Sequence, residues 1–283
     1  MIKRVLIIGL IASLFVILAL FILDAVMSYS DEEIREELGD SVQITYEGPY
    51  KVRTVLLQDS LIDDRPLIVF SHGAPGSWDA FKAYMKSGKL QAKADMIAYD
   101  RPGYGGSSRK AMSSIYEQAR ILNEIILPYR NSPIILVGHS YGGPIVAASA
   151  ILDSSHVKHV IMIAPVIVPE HEKIWWFSYF SYWKMTRWML PKSFQTAGSE
   201  KFAHSAELAA FDSEWRKLMV PTTHIHGEDD DIAPSYYNIE YSKSALKDSM
   251  TTRLFYPDKG HLIIWSDEDM ITNQILNIIE RLD

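Results

Sequence analysis

A serine between glycines is the residue best placed to do chemistry. Ser140 lies in residues 138–142, which read Gly-His-Ser-Tyr-Gly, a G-x-S-x-G pattern. The strand-like run 134–137 precedes it and the helical pattern 142–152 follows it. A serine on such a strand-to-helix turn presents its hydroxyl at the N-terminus of the helix, where partial positive charge favours an alkoxide or oxyanion. The pattern therefore indicates a nucleophile, although by itself it would also fit an ordinary glycine-containing turn.

Together with later residues, this motif resembles the α/β-hydrolase superfamily, and the resemblance covers the chain from Val42 onward. In that superfamily the catalytic residues follow the order Ser, acid, His. His261, in the sequence Asp-Lys-Gly-His-Leu after the last strand-like run, matches the base. Residues 227–234 resemble the pattern G-x-x-D-x-x-V-P, which implies that Asp230 is the acid. Asp229 and Asp231 are its rivals by position.

The resemblance also implies an oxyanion hole made of two backbone N–H groups. One is the amide of Tyr141, directly after the serine. The other is the amide of Ala74, because residues 71–76 are similar to the family's H-G-x-P loop. Residues 100–107 resemble the signature D-x-x-G-x-G-x-S, to which we assign a structural role in supporting that loop.

The expected activity is hydrolysis of a carboxylic ester or related acyl bond through an acyl-enzyme, because a serine stands where epoxide- and halide-displacing relatives carry an aspartate. Thioesterases, amidases, aminopeptidases, carbon–carbon hydrolases and cofactor-free haloperoxidases share such a triad, so the substrate stays open. A non-catalytic binding module of the same fold is a further alternative. We expect a small, apolar acyl substrate, no cofactor and no metal, since no ligand cluster has metal spacing.

Short apolar runs and helical patterns alternate along the chain, which predicts a mostly parallel central sheet flanked by helices. The resemblance implies that this sheet has the α/β-hydrolase fold. The strand-like runs are 42–46, 51–58, 67–70, 96–99, 134–137, 159–163, 222–225 and 253–256. Helical patterns lie near 78–86, 113–127, 142–152, 235–246 and 267–279. The hydrolase domain is thus placed at 42–283, with a helical cap at about 166–218, where no strand pattern occurs.

The cap is rich in aromatic residues at helical spacing. We expect Trp175, Trp176, Phe180 and Trp183 to line an apolar substrate pocket. Packing of a cap on the core explains the same residues without any ligand. A third interpretation uses the basic residues 173, 184 and 187 nearby, because an aromatic and basic helix can lie at a membrane interface. Two glutamates, at 170 and 172, leave an aminopeptidase open, since such relatives hold the substrate amine with cap carboxylates.

The N-terminus predicts a membrane anchor. Residues 5–23 carry no charge and span about 28 Å as a helix, close to the thickness of a bilayer core. Basic residues precede this run and acidic residues follow it, which places the N-terminus in the cytoplasm and the catalytic domain outside. Residues 1–27 then form the anchor and 28–41 an acidic spacer. A cleaved signal peptide and a secreted enzyme are the alternative.

The composition of the chain argues against several kinds of partner and site. The chain has 283 residues, a net charge of −7 and no cysteine. An acidic chain without a basic stripe is not expected to bind nucleic acid. Without cysteine there is no disulfide framework, thiolate metal site or cysteine nucleophile. The sequence makes no prediction of the oligomeric state.

Overall fold

The computed structural model describes residues 2–58, 65–171 and 174–282. Its strands are β1 (Gln43–Glu47), β2 (Val52–Leu57), β3 (Leu67–Ser71), β4 (Asp95–Tyr99), β5 (Ile134–His139), β6 (Val157–Ile163), β7 (Thr222–Gly227) and β8 (Thr251–Tyr256). Its α-helices are α1 (Ile2–Val26), α2 (Asp31–Leu38), α3 (Lys82–Met85), α4 (Gly88–Gln91), α5 (Ile115–Ile126), α6 (Gly142–Leu152), α7 (Tyr179–Tyr182), α8 (Lys184–Arg187), α9 (Lys192–Phe211), α10 (Ser235–Ala245), α11 (Ile263–Ser266) and α12 (Glu268–Ile279).

Across the described residues, these strands form one eight-stranded sheet in the order β1-β2-β4-β3-β5-β6-β7-β8. The pairs β1–β2 and β2–β4 are antiparallel, and the pairings from β4 through β8 are parallel. The predicted mostly parallel sheet is therefore confirmed. The register sets Ser71 beside both Tyr99 and Gly138, so the carboxyl ends of three central strands meet at one edge.

Helices cover both faces of the sheet because successive strand side chains point to opposite sides. In β5, Leu136 packs in a buried cluster with residues of α5 and α6, such as Leu122 and Ile145. The next residue, Val137, packs in the opposite cluster with residues of α3 and α12, such as Tyr84. The continuous apolar run that predicted β5 is thus buried on both faces, as a central parallel strand requires.

The connection from β6 to β7 carries the cap. Its described part holds the short helices α7 and α8, followed by the 20-residue helix α9. Helix α9 buries Glu200, His204, Leu208 and Phe211 against the domain. The aromatic stretch before it is not one continuous helix, because Trp183 takes an extended backbone between α7 and α8. Glu172 and Lys173, which the sequence analysis singled out, lie outside the described residues.

Helix α1 is long and apolar enough, over Ile7–Val26, to be a membrane anchor or a signal sequence. The described side chains of this span are almost all exposed, so the helix is not a core element of the domain. Its C-terminal end nevertheless contacts α9, where the Ser193 hydroxyl donates a hydrogen bond to the Asp24 carboxylate. The residues that follow are also bound, since Tyr29 offers its carbonyl oxygen to Arg53 at 2.6 Å.

Candidate active site

The turn between β5 and α6 holds Ser140 in a strained backbone conformation. Its φ is +53°, in the left-handed region, which costs a non-glycine residue about 1–3 kcal/mol. Backbone hydrogen bonds hold it there: Ser140 donates its N–H to Ile163 O, and Gly143 donates to Ser140 O, both at 3.0 Å. The sequence motif therefore forms the sharp strand-to-helix turn that it predicted.

Glycines allow three chain segments to meet at this turn. A Cβ on Gly138 would overlap the backbone of Gly142, and a Cβ on Gly142 would overlap the backbone of Ser71 in β3. On the loop after β3, a Cβ on Gly73 would lie 3.1 Å from the Cβ of Ser140. Close approach of backbones is what glycine permits and other residues prevent. The glycines thus bring the β3 loop directly beside the serine.

Ser140, His261 and Asp230 form one hydrogen-bonded chain. His261 Nε2 lies 2.9 Å from Ser140 Oγ, and His261 Nδ1 lies 2.8 Å from Asp230 Oδ2. An ionised carboxylate only accepts hydrogen bonds, so Nδ1 carries the proton and Nε2 is left to accept the serine hydroxyl proton. All three side chains are buried, whereas the rivals Asp229 and Asp231 are exposed. The structure therefore brings the predicted serine, acid and histidine together.

Asp230 is held ionised by three further contacts. Its Oδ1 accepts the backbone N–H groups of Ile232 at 2.9 Å and Ala233 at 2.8 Å. His226 Nε2 lies 3.2 Å from Oδ2 and 3.0 Å from Ala233 O. Burial alone would raise the pKa of Asp230, but hydrogen bonds from His226 and His261 bring it well below its usual range. No motif in the sequence pointed to His226 as a partner of the acid.

His139 supports His261 from the side opposite Asp230. Its Nε2 donates to His261 O at 3.1 Å, and the two rings lie 5.1 Å apart. Burial, followed by repulsion from His261, lowers the pKa of His139 to about 3. His139 is therefore neutral at physiological pH and adds no positive charge beside the histidine that pairs with Asp230.

The β3 loop is oriented by its carbonyl groups. Gly73 O accepts hydrogen bonds from Arg101 Nη2 at 2.9 Å and from His72 Nδ1 at 2.7 Å, while Arg101 Nε donates to His72 O at 3.0 Å. In a trans peptide the carbonyl and the following N–H point in opposite directions. The Ala74 N–H therefore points away from Arg101. These contacts match the supporting role assigned to residues 100–107.

Arg101 is itself neutralised by the cap. Its guanidinium, which is fully buried, binds both carboxylate oxygens of Glu200 on α9, at 2.5 and 3.1 Å. Tyr104 and Gln118 donate further hydrogen bonds to the same carboxylate, at 2.6 and 3.1 Å. The sequence analysis did not find Glu200, because an acidic residue inside a cap helix carries no motif that points to a partner 99 positions away.

The predicted pocket residues lie exposed on the surface of the cap. Trp175, Trp176, Phe180 and Trp183 expose 43%, 74%, 42% and 52% of their surface, respectively. A cavity of about 690 Å³ lies instead between the start of the cap and α10, with Glu170, His171 and Tyr237 among its lining residues. Among the described residues no group of three or more potential metal ligands converges.

Comparison with known proteins agrees with this geometry. A family model described as the alpha/beta hydrolase fold matches residues 66–196, which include the β3 loop, the Ser140 turn and the start of α9. The chain has the α/β-hydrolase fold. This confirms the resemblance drawn from the residues.

Solved α/β-hydrolase structures share the whole architecture. An alpha/beta hydrolase enzyme from a Medee basin deep-sea metagenome library is 16% identical, with a TM-score of 0.68, and the match covers 84% of this chain and 97% of that one. A membrane phospholipase A, a bacterial virulence factor, is 17% identical, with a TM-score of 0.65 and coverage of 99% and 98%. At these identities the likeness establishes the fold alone.

Curated relatives match part of the chain. A probable 1-acylglycerol-3-phosphate O-acyltransferase from Oryza sativa subsp. japonica is 30% identical over 131 residues, which are 43% of this chain and 31% of that protein. A 1-acylglycerol-3-phosphate O-acyltransferase from Rattus norvegicus is 26% identical over 148 residues, or 50% and 38%. The chain thus spans about a third of the length of these relatives.

The packing of the Ser140 turn predicts a strong effect of one methyl group. Gly142→Ala forces a Cβ into the Ser71 backbone, and such overpacking costs about 1–3 kcal/mol, so the unfolding midpoint should fall by roughly 2–12 °C. Gly88→Ala is the matched control, because nothing lies within 4 Å of a Cβ there. Thermal unfolding of the full chain in detergent, followed by circular dichroism, measures both. Equal midpoints for the two variants would contradict this account of the turn.

Proposed function

We propose that the protein is a membrane-anchored serine hydrolase that cleaves a carboxylic ester or related acyl bond. The observation that carries the proposal is the hydrogen-bonded chain from Ser140 through His261 to Asp230, on the turn beside the β3 loop. In the proposed first step, His261 Nε2 takes the hydroxyl proton as Ser140 Oγ attacks the substrate carbonyl carbon. The leaving alcohol takes that proton from His261. Water then attacks the acyl-enzyme, with His261 as base again.

The negative charge of Asp230 would stabilise the protonated form of His261 during this cycle. Once His261 is protonated, the ionised carboxylate at 2.8 Å stabilises the imidazolium. The low pKa of Asp230 supports this role, because the carboxylate stays charged through both half-reactions. The neutral state of His139 supports it as well, since a second cation in contact with His261 would oppose its protonation.

The negative charge that develops on the substrate oxygen needs fixed N–H donors. We assign these to the backbone amides of Ala74 and Tyr141. The carbonyl contacts of Gly73 fix the peptide that carries the Ala74 N–H, and the start of α6 carries the Tyr141 N–H. Both donors belong to rigid backbone, which is what makes such a site effective without reorganisation during the reaction.

We further propose that residues 5–23 anchor the enzyme in a membrane, with the N-terminus cytoplasmic and the catalytic domain outside. The support is the apolar span Ile7–Val26 and the charge difference across it. A lipid-like ester is the substrate that suits this arrangement, and a membrane phospholipase A and an esterase are among the structural neighbours.

Acyl transfer to an alcohol is a second candidate, favoured by the names of the curated relatives. The same acyl-enzyme would be resolved by an acceptor hydroxyl in place of water. Incubating the full chain with a radiolabelled acyl ester, with and without 1-acylglycerol-3-phosphate, separates the two. Labelled free acid in both mixtures supports hydrolysis, whereas labelled diacyl product that appears at the expense of free acid supports transfer.

Fluorophosphonate labelling tests the nucleophile and the acid in one series. We expect Ser140→Ala to abolish labelling, since it removes the attacking oxygen. Asp230→Asn should slow labelling by roughly 10³–10⁴-fold, because the amide favours the wrong imidazole tautomer. Gel fluorescence against time gives the rates.

The neighbouring aspartates provide matched controls for that series. Asp229→Asn and Asp231→Asn change the same charge at exposed positions and should label at the wild-type rate. Labelling of the Ser140→Ala variant at the wild-type rate would overturn the proposed function. A slow rate for Asp229→Asn or Asp231→Asn with a normal rate for Asp230→Asn would move the acid to another residue.

Variants of the buried pair of Arg101 and Glu200 should change protein stability and labelling rate to different extents. Glu200→Gln leaves a buried cation without its counter-ion, so the chain should lose about 3–5 kcal/mol of unfolding free energy. Replacing both residues with apolar ones, Arg101→Met with Glu200→Leu, should recover most of that stability. Fluorophosphonate labelling of the double variant should nevertheless be slower than that of the wild type. Gly73 O has lost the hydrogen bond from Arg101, so the peptide that carries the Ala74 N–H is less firmly held.

Esterase kinetics on a p-nitrophenyl ester complete this test. The double variant should show a lower kcat with little change in KM, since only the stabilisation of the developing charge is affected. A stable double variant with wild-type kcat would show that Arg101 has no part in positioning the β3 loop.

A further inference from the structure

The cap exposes a continuous aromatic surface, here called the aromatic face. Its side chains expose between 39% and 85% of their surface, although they are large and mostly apolar. They are Ile174, Trp175, Trp176, Phe177, Tyr179, Phe180, Tyr182, Trp183, Met185 and Trp188. Scattered exposed apolar residues need no explanation, but a contiguous patch of this kind marks a surface that binds something.

The rings of the aromatic face are in contact with one another and are fixed from below. Trp176 and Phe180 lie 6.2 Å apart, Phe180 and Trp183 lie 6.0 Å apart, and Tyr179 packs on Phe202 of α9 at 5.3 Å. Gly198 of α9 leaves room for this packing, since a Cβ there would overlap the Ser181 side chain. The aromatic rings are therefore held in place by their packing on α9 and remain exposed on the outer side.

Charge separates this segment from the rest of the chain. Residues 174–193 contain three basic side chains, at 184, 187 and 192, and no acidic one, although the whole chain carries a net charge of −7. Trp and Tyr together with Lys and Arg are the residues enriched where proteins meet the headgroup layer of a bilayer. Protein interfaces are also rich in aromatic and basic residues, so the choice between a protein and a bilayer depends on where the aromatic face lies.

The position of α1 selects the bilayer. The C-terminal end of α1 is hydrogen-bonded to α9 at Ser193, and the rings pack on α9 as far as Phe202. Nine residues of helix correspond to about 14 Å, so the base of the aromatic face at Phe202 lies about that far along α9 from the point where α1 meets the domain. A bilayer that contains Ile7–Val26 therefore ends beside the aromatic face.

We propose that the aromatic face inserts into the headgroup layer of the bilayer that α1 spans. This rests on the proposed membrane anchor. The tryptophan and tyrosine rings sit at the boundary between headgroups and acyl chains, and Lys184 contacts lipid phosphates. In this arrangement the rings contact lipid, whereas in a domain surrounded by water they would be exposed to solvent.

Quenching by brominated lipids tests the proposal on the full chain in nanodiscs of phosphatidylcholine and phosphatidylglycerol. Four of the seven tryptophans belong to the aromatic face. Lipids brominated near the headgroup should quench emission more than lipids brominated near the chain end. Trp176→Ser combined with Trp188→Ser, the two most exposed tryptophans of the face, should remove about half of the quenched emission.

Trp265→Phe is the matched control, because Trp265 is 45% exposed but lies outside the aromatic face. It should leave the quenched emission unchanged. Fluorophosphonate labelling of each variant reports folding. In discs that have taken up the chain, equal quenching of the wild type and the double variant would overturn the proposal. A cross-linked dimer in which a second copy covers the rings would overturn it as well. Failure of the chain to enter discs would instead contradict the anchor.

Discussion

A single buried cation organises the region around Ser140. Arg101 is fully buried, and a charge in that position is tolerated only when it is paired and hydrogen-bonded. Glu200 supplies the countercharge from the cap, while His72 O, Gly73 O and Gln118 Oε1 accept further hydrogen bonds from the guanidinium. The need to neutralise Arg101 therefore ties the cap to the loop that carries the Ala74 amide. Core, loop and cap cannot be altered independently.

The histidines around the site are kept neutral by the same logic. Burial, with the Arg101 charge next, takes the pKa of His72 well below its usual value, and burial does the same for His139 and His224. His72 uses both ring nitrogens, toward Gly73 O and the Arg101 N–H, whereas His139 and His224 each make a hydrogen bond through Nε2. The neutral rings thus fix their neighbours without adding charge. The negative charge of Asp230 is thereby directed to His261, where the proposed chemistry needs it.

The sequence predicted the fold and the Ser–Asp–His chain because both depend on local patterns. Apolar runs of strand length, the glycines around Ser140 and the proline that sets the register of Asp230 are all short-range signals. The contact of His226 with the acid and the pair of Arg101 with Glu200 depend on distances that only the folded chain defines. The aromatic residues of the cap carried helical spacing, but spacing does not tell an outward-facing ring from one that lines a pocket.

The connection between α1 and the domain is short and firmly bonded. Met27 and Tyr29 offer their carbonyl oxygens to Ser77 and Arg53, at 2.7 and 2.6 Å, and helix α2 begins at Asp31. An enzyme joined to its anchor by a long flexible linker takes many orientations relative to the membrane. Here the linker between α1 and α2 is only a few residues long and is hydrogen-bonded to the domain, so an anchored domain would keep one orientation to the lipid plane. Its search for substrate would then be lateral diffusion in two dimensions, at a fixed height above the bilayer.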